Sequence, residues 1–191
     1  MGTNILILAV HVDDCILTGS SKRLITHYKK KLNACHALTD LGLIHWLLGI
    51  KITHNHAMCT ISLFQVSFIN TILSRFSMTD MKPYSSSMIP GALYSKKDSP
   101  SSPEEAAHIQ RSSYCRAIDS LMYLAVAICP NITFAVSILS CFLNNPGDAH
   151  WEAVKCIFHY LKFTKNLQLT YNGKQHDLKS YLDVDGGNQE D

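Results

Sequence analysis

Two short apolar runs near the start of the chain flank the residues His11-Val12-Asp13-Asp14. The first run covers residues 5–10 and the second covers residues 15–17, and both are rich in aliphatic residues that favour strands. Two such runs joined by so short a polar segment predict a β-hairpin with acid at its tip. Adjacent carboxylates at a hairpin tip either hold a metal ion or are solvated, and the spacing alone leaves both interpretations open.

Composition places the chain among globular proteins. Of its 191 residues, 47% are hydrophobic and 17% are charged, which suits a protein that buries a core in one or two small domains. No apolar run reaches the roughly 20 residues that cross a bilayer, and the residues before the first run lack the basic start of a signal peptide. We therefore expect an intracellular protein, cytoplasmic or nuclear, that is not secreted and has no membrane partner.

The seven cysteines are widely spaced and form no Cys-x-x-Cys pair. An odd number without pairing argues for reduced, buried thiols rather than a disulfide framework or a structural zinc site. His54 and His56 flank Asn55 at a predicted turn and could form a metal pair, although ordinary turn chemistry also accounts for them.

Basic residues are concentrated in two segments, although the net charge is only +2. Residues 21–35 hold five basic side chains and no acid, and residues 149–179 hold five lysines against two acids. Either segment could follow a phosphate backbone, or both could be solvated helix faces. The candidate nucleic-acid-binding residues are Lys22, Arg23, Lys29, Lys30, Lys31, Lys155, Lys162 and Lys165.

Periodicity predicts the elements of the first half of the chain. A helix is expected over Lys22–Cys35, with a core-facing stripe of Leu24, Tyr28, Leu32 and Cys35. Residues 43–53 read as a strand buried on both faces, and residues 58–63 read as its partner. A helix over residues 65–76 follows.

The second half reads as an extended linker followed by helices. Residues 82–102 are rich in proline and serine and lack periodicity, so we expect a linker that crosses between two lobes. Residues 102–105 read as a capping box. Helices are predicted over residues 113–127, 131–143 and 148–163, with Asn145 as a cap of the last, and strands over residues 167–171 and 178–184.

In this order, the motifs resemble those of Ty1/copia-type retrotransposon reverse transcriptases. Residues 8–14, Leu-Ala-Val-His-Val-Asp-Asp, are similar to the polymerase active-site motif, which is usually Tyr-Val-Asp-Asp. Similar segments follow at residues 40–50, 82–88, 120–125, 134–137, 149–155 and 160–162. Residues 180–185 are similar to the opening of the ribonuclease H that is attached to this polymerase.

The resemblance implies RNA- or DNA-templated DNA synthesis with two divalent ions, Mg²⁺ or Mn²⁺, which act on the attacking and leaving oxygens. It implies that Asp13 and Asp14 are the catalytic, metal-binding carboxylates and that His11 and Val12 lie near the nucleotide and the primer end. It also makes Asp183 an orphan ribonuclease H metal position. The implied partners are an RNA or DNA primer–template and the missing parts of the Pol polyprotein, with no small-molecule cofactor beyond nucleotides.

By the same resemblance the fold class is α+β: a partial polymerase palm hairpin plus a second β-hairpin, then a helical thumb or connection region and two terminal strands. Residues 1–81 would be the partial palm with the following hairpin and helix, and residues 82–102 the linker. Residues 103–165 would be the thumb or connection region, and residues 166–191 the start of a truncated ribonuclease H-like domain.

Departures from the family pattern indicate a decayed copy that is inactive alone and does not hold Mg²⁺ tightly. The third palm carboxylate of the family lies upstream of the acidic hairpin, where this chain begins. His11 replaces the motif tyrosine, Cys129 replaces a usual arginine, and Asp119 replaces a small or apolar residue. Cys141 and Cys156 stand where polar or basic residues are common. The alternatives are a non-catalytic nucleic-acid-binding module and a purely structural remnant.

Overall fold

The computed structural model describes residues 4–102, 111–173 and 180. The chain divides into two compact units, residues 1–48 and residues 49–191. Helices and antiparallel strands are both present, which confirms the α+β class. The division into four segments that the resemblance implies stays a prediction. In the described part of the chain, no helix has the length and apolar character that a membrane span requires.

The first unit is built on the predicted acidic hairpin. Strands β1 (Leu6–His11) and β2 (Asp14–Gly19) are antiparallel, and His11 lies opposite Asp14 at the tip. At the open end, the hydroxyl of Ser20 accepts a hydrogen bond from the Ile5 N–H at 3.0 Å. Helix α1 covers Lys22–Cys35, as predicted, and a two-residue strand, β3, covers Trp46–Leu47.

The predicted core-facing stripe of α1 is wrong, because no described residue of the first unit is buried. Leu24 and Leu32 are half-buried, whereas Tyr28 and Cys35 are exposed. Most apolar side chains of β1 are exposed as well, and Val10, for example, is 62% exposed. Leu6, Ile16 and Leu17 of the hairpin are half-buried. One hairpin and one helix offer too little apolar surface to enclose a core, so they do not cover the stripe of α1.

The second unit contains an antiparallel sheet in the order β4 (Ile50–Asn55), β5 (Thr60–Phe64) and β6 (Leu169–Asn172). The strand predicted over residues 43–53 is wrong in its extent. Leu48 and Gly49 adopt φ values of +49° and +77°, which interrupt an extended chain between β3 and β4. Only Ile52 of β4 is buried, so the strand is not buried on both faces.

The core of the second unit lies among helices α2 (Val66–Arg75), α3 (Arg111–Ala127), α4 (Thr133–Ser140) and α5 (Asp148–Thr164). The helix predicted over residues 131–143 is shorter than expected, because a 3₁₀ turn over Pro130–Ile132 precedes it. The largest fully buried apolar side chains include Tyr114, Leu121, Ile132, Leu139, Ile157 and Phe158. Burying such side chains contributes about 1.5–3 kcal/mol each, so this cluster holds the unit together.

Residues 82–102 are extended apart from a 3₁₀ turn over Lys96–Asp98, and they pack along α5. The Tyr84 N–H donates to the His159 carbonyl at 3.2 Å, and the two rings stack with centroids 4.3 Å apart. Further along, the Cys156 thiol donates to the Ser86 carbonyl at 3.7 Å. Among the described residues Cys156 is the one buried cysteine, whereas Cys15, Cys35, Cys59 and Cys141 are exposed, so the expectation of buried thiols is wrong for most of them. The predicted strand over residues 178–184 and most of the predicted capping box at residues 102–105 lie outside the described residues.

The predicted cap of α5 is wrong. Gly147 occupies the N-cap position, whereas the Asn145 side-chain amide donates to the Pro100 carbonyl at 3.1 Å. A Cβ on Gly147 would lie 1.8 Å from the Asp98 carbonyl oxygen, so only glycine fits where the 3₁₀ turn approaches the helix. The His150 Nδ1 atom accepts the Gly147 N–H at 2.8 Å, so this histidine has a structural role at the start of α5.

Candidate metal and nucleic-acid site

The acidic hairpin tip places both candidate carboxylates in solvent. Val12 and Asp13 form the two-residue turn between β1 and β2, and His11 pairs with Asp14 at its base. All four side chains are exposed. Within the described residues, neither carboxylate accepts a hydrogen bond or forms an ion pair. Both are therefore free to bind a cation.

The backbone of the turn is strained at Val12, which has a φ of +50°. Two-residue hairpin turns need positive φ and favour glycine or asparagine there, whereas a β-branched residue is a rare outlier. Conformations of this kind cost about 1–3 kcal/mol and cluster at functional sites. The Val12 side chain is 83% exposed, so no packing within the described residues compensates for that cost.

The carboxylates of the tip are ligands of the kind that a hard divalent cation binds, but there are too few of them to fill its coordination shell. Carboxylate oxygens are the ligands that Mg²⁺ prefers, and the ion demands octahedral coordination. Among residues 4–102, 111–173 and 180, no group of three His, Cys, Asp or Glu side chains could hold a metal ion. Asp183 lies outside the described residues, so its assignment as an orphan ribonuclease H metal position stays a prediction.

Helix α1 presents four exposed basic side chains, namely Lys22, Arg23, Lys30 and Lys31. Arg23 and Lys30 are seven residues apart, which is close to two helical turns, so they share one face. The Lys31 ammonium lies 5.7 Å from the centroid of the Tyr28 ring. This surface is the basic part of the first unit that can meet a phosphate backbone.

Lys29 differs from the other basic residues of α1 because its charge is paired. Its ammonium donates to both carboxylate oxygens of Asp40, at 2.7 and 2.8 Å. This hydrogen bond, with a second from the Gly42 N–H, lowers the pKa of Asp40 below its usual value of 3.8. Lys29 therefore anchors the segment after α1, and only part of its charge is available to an external partner.

In the described part of the second basic segment, two of the three lysines are bound within the fold. The Lys155 ammonium lies 2.6 Å from a Glu152 carboxylate oxygen one turn away. Lys162 is half-buried, and its ammonium donates to the carbonyls of Thr79 and Met81, both at 2.6 Å. Lys165 follows α5 and is half-buried. This segment is therefore a weaker candidate for nucleic-acid contact than α1.

An open cavity of about 250 Å³ in the second unit is lined by residues that include His54, His56, Cys59 and Tyr171. The sequence pattern had singled out the two histidines but not the cysteine or the tyrosine. The register of β5 and β6 places Tyr171 beside Ile61, whereas Cys59 lies in the turn before β5, where no periodic pattern predicts its position.

Comparison with known proteins gives a consistent picture. Residues 1–90 match a family model described as reverse transcriptase (RNA-dependent DNA polymerase). Over 95% of its length the chain is 38% identical to the retrovirus-related Pol polyprotein from transposon TNT 1-94 of Nicotiana tabacum, and it covers 14% of that protein. It is 30% identical over its whole length to the corresponding polyprotein from transposon RE1 of Arabidopsis thaliana, of which it covers 12%.

A shorter relative is covered more fully. The chain is 31% identical to an uncharacterised mitochondrial protein of Arabidopsis thaliana, over 93% of this chain and 70% of that protein. No solved structure matches the chain. The chain thus spans about one seventh of the longer polyproteins and most of the mitochondrial protein.

Proposed function

The chain belongs to the copia-type reverse transcriptase family of retrotransposon Pol polyproteins, and on that premise we propose that its acidic hairpin tip is the metal-binding corner of a polymerase palm. The observation that supports this most directly is the pair of exposed, unpartnered carboxylates of Asp13 and Asp14. They lie at a strained turn inside the region that the reverse transcriptase model matches.

At such a corner the roles of the side chains follow from their chemistry. When bound, a divalent ion supplies electrostatic stabilisation of the attacking and leaving oxygens of nucleotidyl transfer. Asp13 and Asp14 hold the ion through hard oxygen donors. The rigid two-residue turn fixes the separation of these carboxylates, and His11 and Val12 lie beside the primer end.

The incomplete ligand set supports a further part of the proposal, that this chain does not polymerise DNA by itself. Two adjacent carboxylates leave most of an octahedral shell to water or to other groups, so a bound ion is held loosely. The purified chain, given a primer–template, nucleotides and Mg²⁺, should therefore extend no primer. Extension that is abolished by Asp13→Asn would refute the proposed inactivity while supporting the metal site. Extension that survives Asp13→Asn would refute the site itself.

Binding without catalysis is the second candidate function, and the exposed basic surface of α1 favours it. A nucleic-acid duplex bound through this surface would show an affinity that falls with salt, with a slope of about 0.9 for each phosphate contact. Arg23→Gln with Lys30→Gln should reduce that slope by roughly 2. The matched control is Lys51→Gln with Lys97→Gln, which removes the same charge from exposed positions of the second unit. Equal slopes for the two double variants would refute a specific role for α1.

The partners and the location follow as parts of the same proposal. An RNA or DNA primer–template would be the substrate of the assembled polymerase, and other parts of a Pol polyprotein would supply the remaining ligands and surfaces. An intracellular location is consistent with the cysteine side chains, which are all free thiols.

A further inference from the structure

Four side chains that can bind a transition metal border one cavity at the end of the β4–β5–β6 sheet, namely His54, His56, Cys59 and Tyr171. The register places His54 opposite Ile61, and Ile61 opposite Tyr171. His56 and Cys59 lie in the turn that joins β4 to β5. Cys59 stands two residues before Ile61, and its carbonyl accepts the Gly173 N–H at 2.9 Å. These residues border the open cavity of about 250 Å³.

The turn between β4 and β5 does not need either imidazole. Asn55 provides the turn chemistry, because its side-chain oxygen accepts the Met58 N–H at 3.1 Å. Both histidines are exposed, and in the described part of the chain neither ring makes a hydrogen bond. Their rings face each other instead, with centroids 3.8 Å apart and planes inclined by 40°. The alternative of ordinary turn chemistry therefore explains Asn55 but leaves the histidine pair without a structural role.

We propose that His54 and His56 form a two-point binding site for a borderline transition-metal ion of the Zn²⁺ class, and that the Cys59 thiolate is the third ligand. Two imidazole nitrogens bound tetrahedrally to Zn²⁺ at 2.0–2.1 Å lie about 3.3 Å apart, which facing rings reach by small rotations. Imidazole and thiolate ligands select Zn²⁺ over Mg²⁺. The site is therefore chemically distinct from the carboxylates of the hairpin tip.

Cys59 completes the site by a side-chain rotation. Its thiol is exposed and donates only a long hydrogen bond, of 3.7 Å, to the His56 carbonyl. The three side chains do not form a preassembled cluster among the described residues, so the metal draws the thiolate in as it binds. Tyr171 of β6 is also exposed, and its side chain lines the same cavity.

Titration calorimetry of the full chain with ZnCl₂ tests the pair, after removal of metals and with the thiols kept reduced. We expect one site, weakened about tenfold or more by His54→Ala or His56→Ala, a loss in the range expected for a missing contact in a metal site. His27→Ala is the control, since His27 is an exposed histidine on α1 whose ring contacts only Tyr28 among the described aromatic groups. The proposal is overturned if the parent chain does not bind Zn²⁺. It is also overturned if the variant that carries both His54→Ala and His56→Ala binds Zn²⁺ as tightly as the parent.

Substitution with Co²⁺ tests the third ligand separately. A thiolate bound to Co²⁺ gives a charge-transfer band in the near ultraviolet, which Cys59→Ser should remove. Cys141→Ser, which changes another exposed cysteine, should leave the band intact. A band that persists in Cys59→Ser, or one that disappears in Cys141→Ser, overturns the assignment of the thiolate. All the substituted side chains are exposed, and unchanged far-ultraviolet circular dichroism shows that each variant is folded.

Discussion

The buried imidazole of His150 should make the second unit unstable to mild acid. The ring is fully buried and stacks on Phe142, with centroids 3.9 Å apart. Burial lowers the pKa of His150 from its ordinary value of 6.5, and the nearby Asp98 carboxylate and the Ser95 backbone oppose this only in part. Among the described residues the buried Nε2 atom makes no hydrogen bond of normal geometry, so the Ser95 backbone stabilises a proton there only weakly.

The sign of the pH effect follows from the lowered pKa. The unfolded chain takes up a proton at His150 near pH 6.5, whereas the folded chain takes it up only at lower pH. The contribution of the neutral ring is therefore fully present above pH 6.5 and is lost as the pH falls from there through the folded pKa. Over that interval the free energy of unfolding falls by at most about 1.4 kcal/mol for each pH unit. The carboxyl of Asp40 does not affect the stability in this pH range, because its pKa is lowered from 3.8 in the folded chain.

Urea unfolding at several pH values between 7.5 and 4.5 measures the effect, with Trp151 on α5 as the fluorescent probe in a Trp46→Phe background. His150→Gln keeps a side-chain acceptor for the N-cap amide but does not titrate. Its free energy of unfolding should therefore change less between pH 7 and 5 than that of the parent, with the denaturant slope unchanged. The exposed His27→Gln should behave like the parent. Parallel loss of stability in the parent and in His150→Gln would refute the reasoning.

Three further predictions concern single contacts. Val12→Asn should relieve the strain of the hairpin turn by about 1 kcal/mol and slow amide exchange in β1 and β2; faster exchange would contradict it. Gly147→Ala should lower the free energy of unfolding by about 3 kcal/mol, because the new Cβ would clash at the start of α5. Gly91→Ala is the control and should cost about 1 kcal/mol, because, apart from its chain neighbours, no atom of the described residues lies within 4 Å of its Cβ position. Equal losses would contradict the close approach of the Asp98 carbonyl to Gly147. Lys162→Met should lower the free energy of unfolding by about 1–3 kcal/mol, because two backbone carbonyls lose their hydrogen-bond donor. Lys155→Met removes only an ion pair near the surface and should lower it by less than about 1 kcal/mol. The midpoints of denaturant unfolding distinguish the two variants.

Local signals in the sequence were sufficient for the elements that depend on local chemistry. The bounds of α1 follow from its periodic pattern, and the acidic hairpin follows from two apolar runs and a short connection. The break at Leu48 has no such signal, since a leucine with φ of +49° runs against the preference of the residue. Asn145 had the right chemistry for a cap, but the contact that selects Gly147 comes from a 3₁₀ turn some 50 residues away.

Burial was the quantity that pattern alone could not supply. The stripe on α1 and the dense apolar residues of β4 indicated which faces avoid water, but whether a face is covered depends on surfaces elsewhere in the fold. In the second unit the helices provide that cover, and the apolar residues Ile118 and Leu121 of α3 are fully buried. In the first unit the residues of the same kind of pattern are half-buried or exposed.

The exposure of the hairpin and the shortage of metal ligands at its tip have a common physical consequence. A ligand that binds only the folded state stabilises it in proportion to the logarithm of its concentration over its dissociation constant. If Asp13 and Asp14 are the ligands, as proposed, they alone would hold Mg²⁺ loosely, and the ion would add little stability to a unit in which no described residue is buried. A polypeptide that covered the apolar face of the hairpin and brought a third carboxylate would tighten the metal and bury the strands in one step. When such a polypeptide binds, the protection of the hairpin amides from exchange and the affinity of the tip for Mg²⁺ should therefore rise together. A polypeptide that raises only one of the two is not the natural partner of this tip.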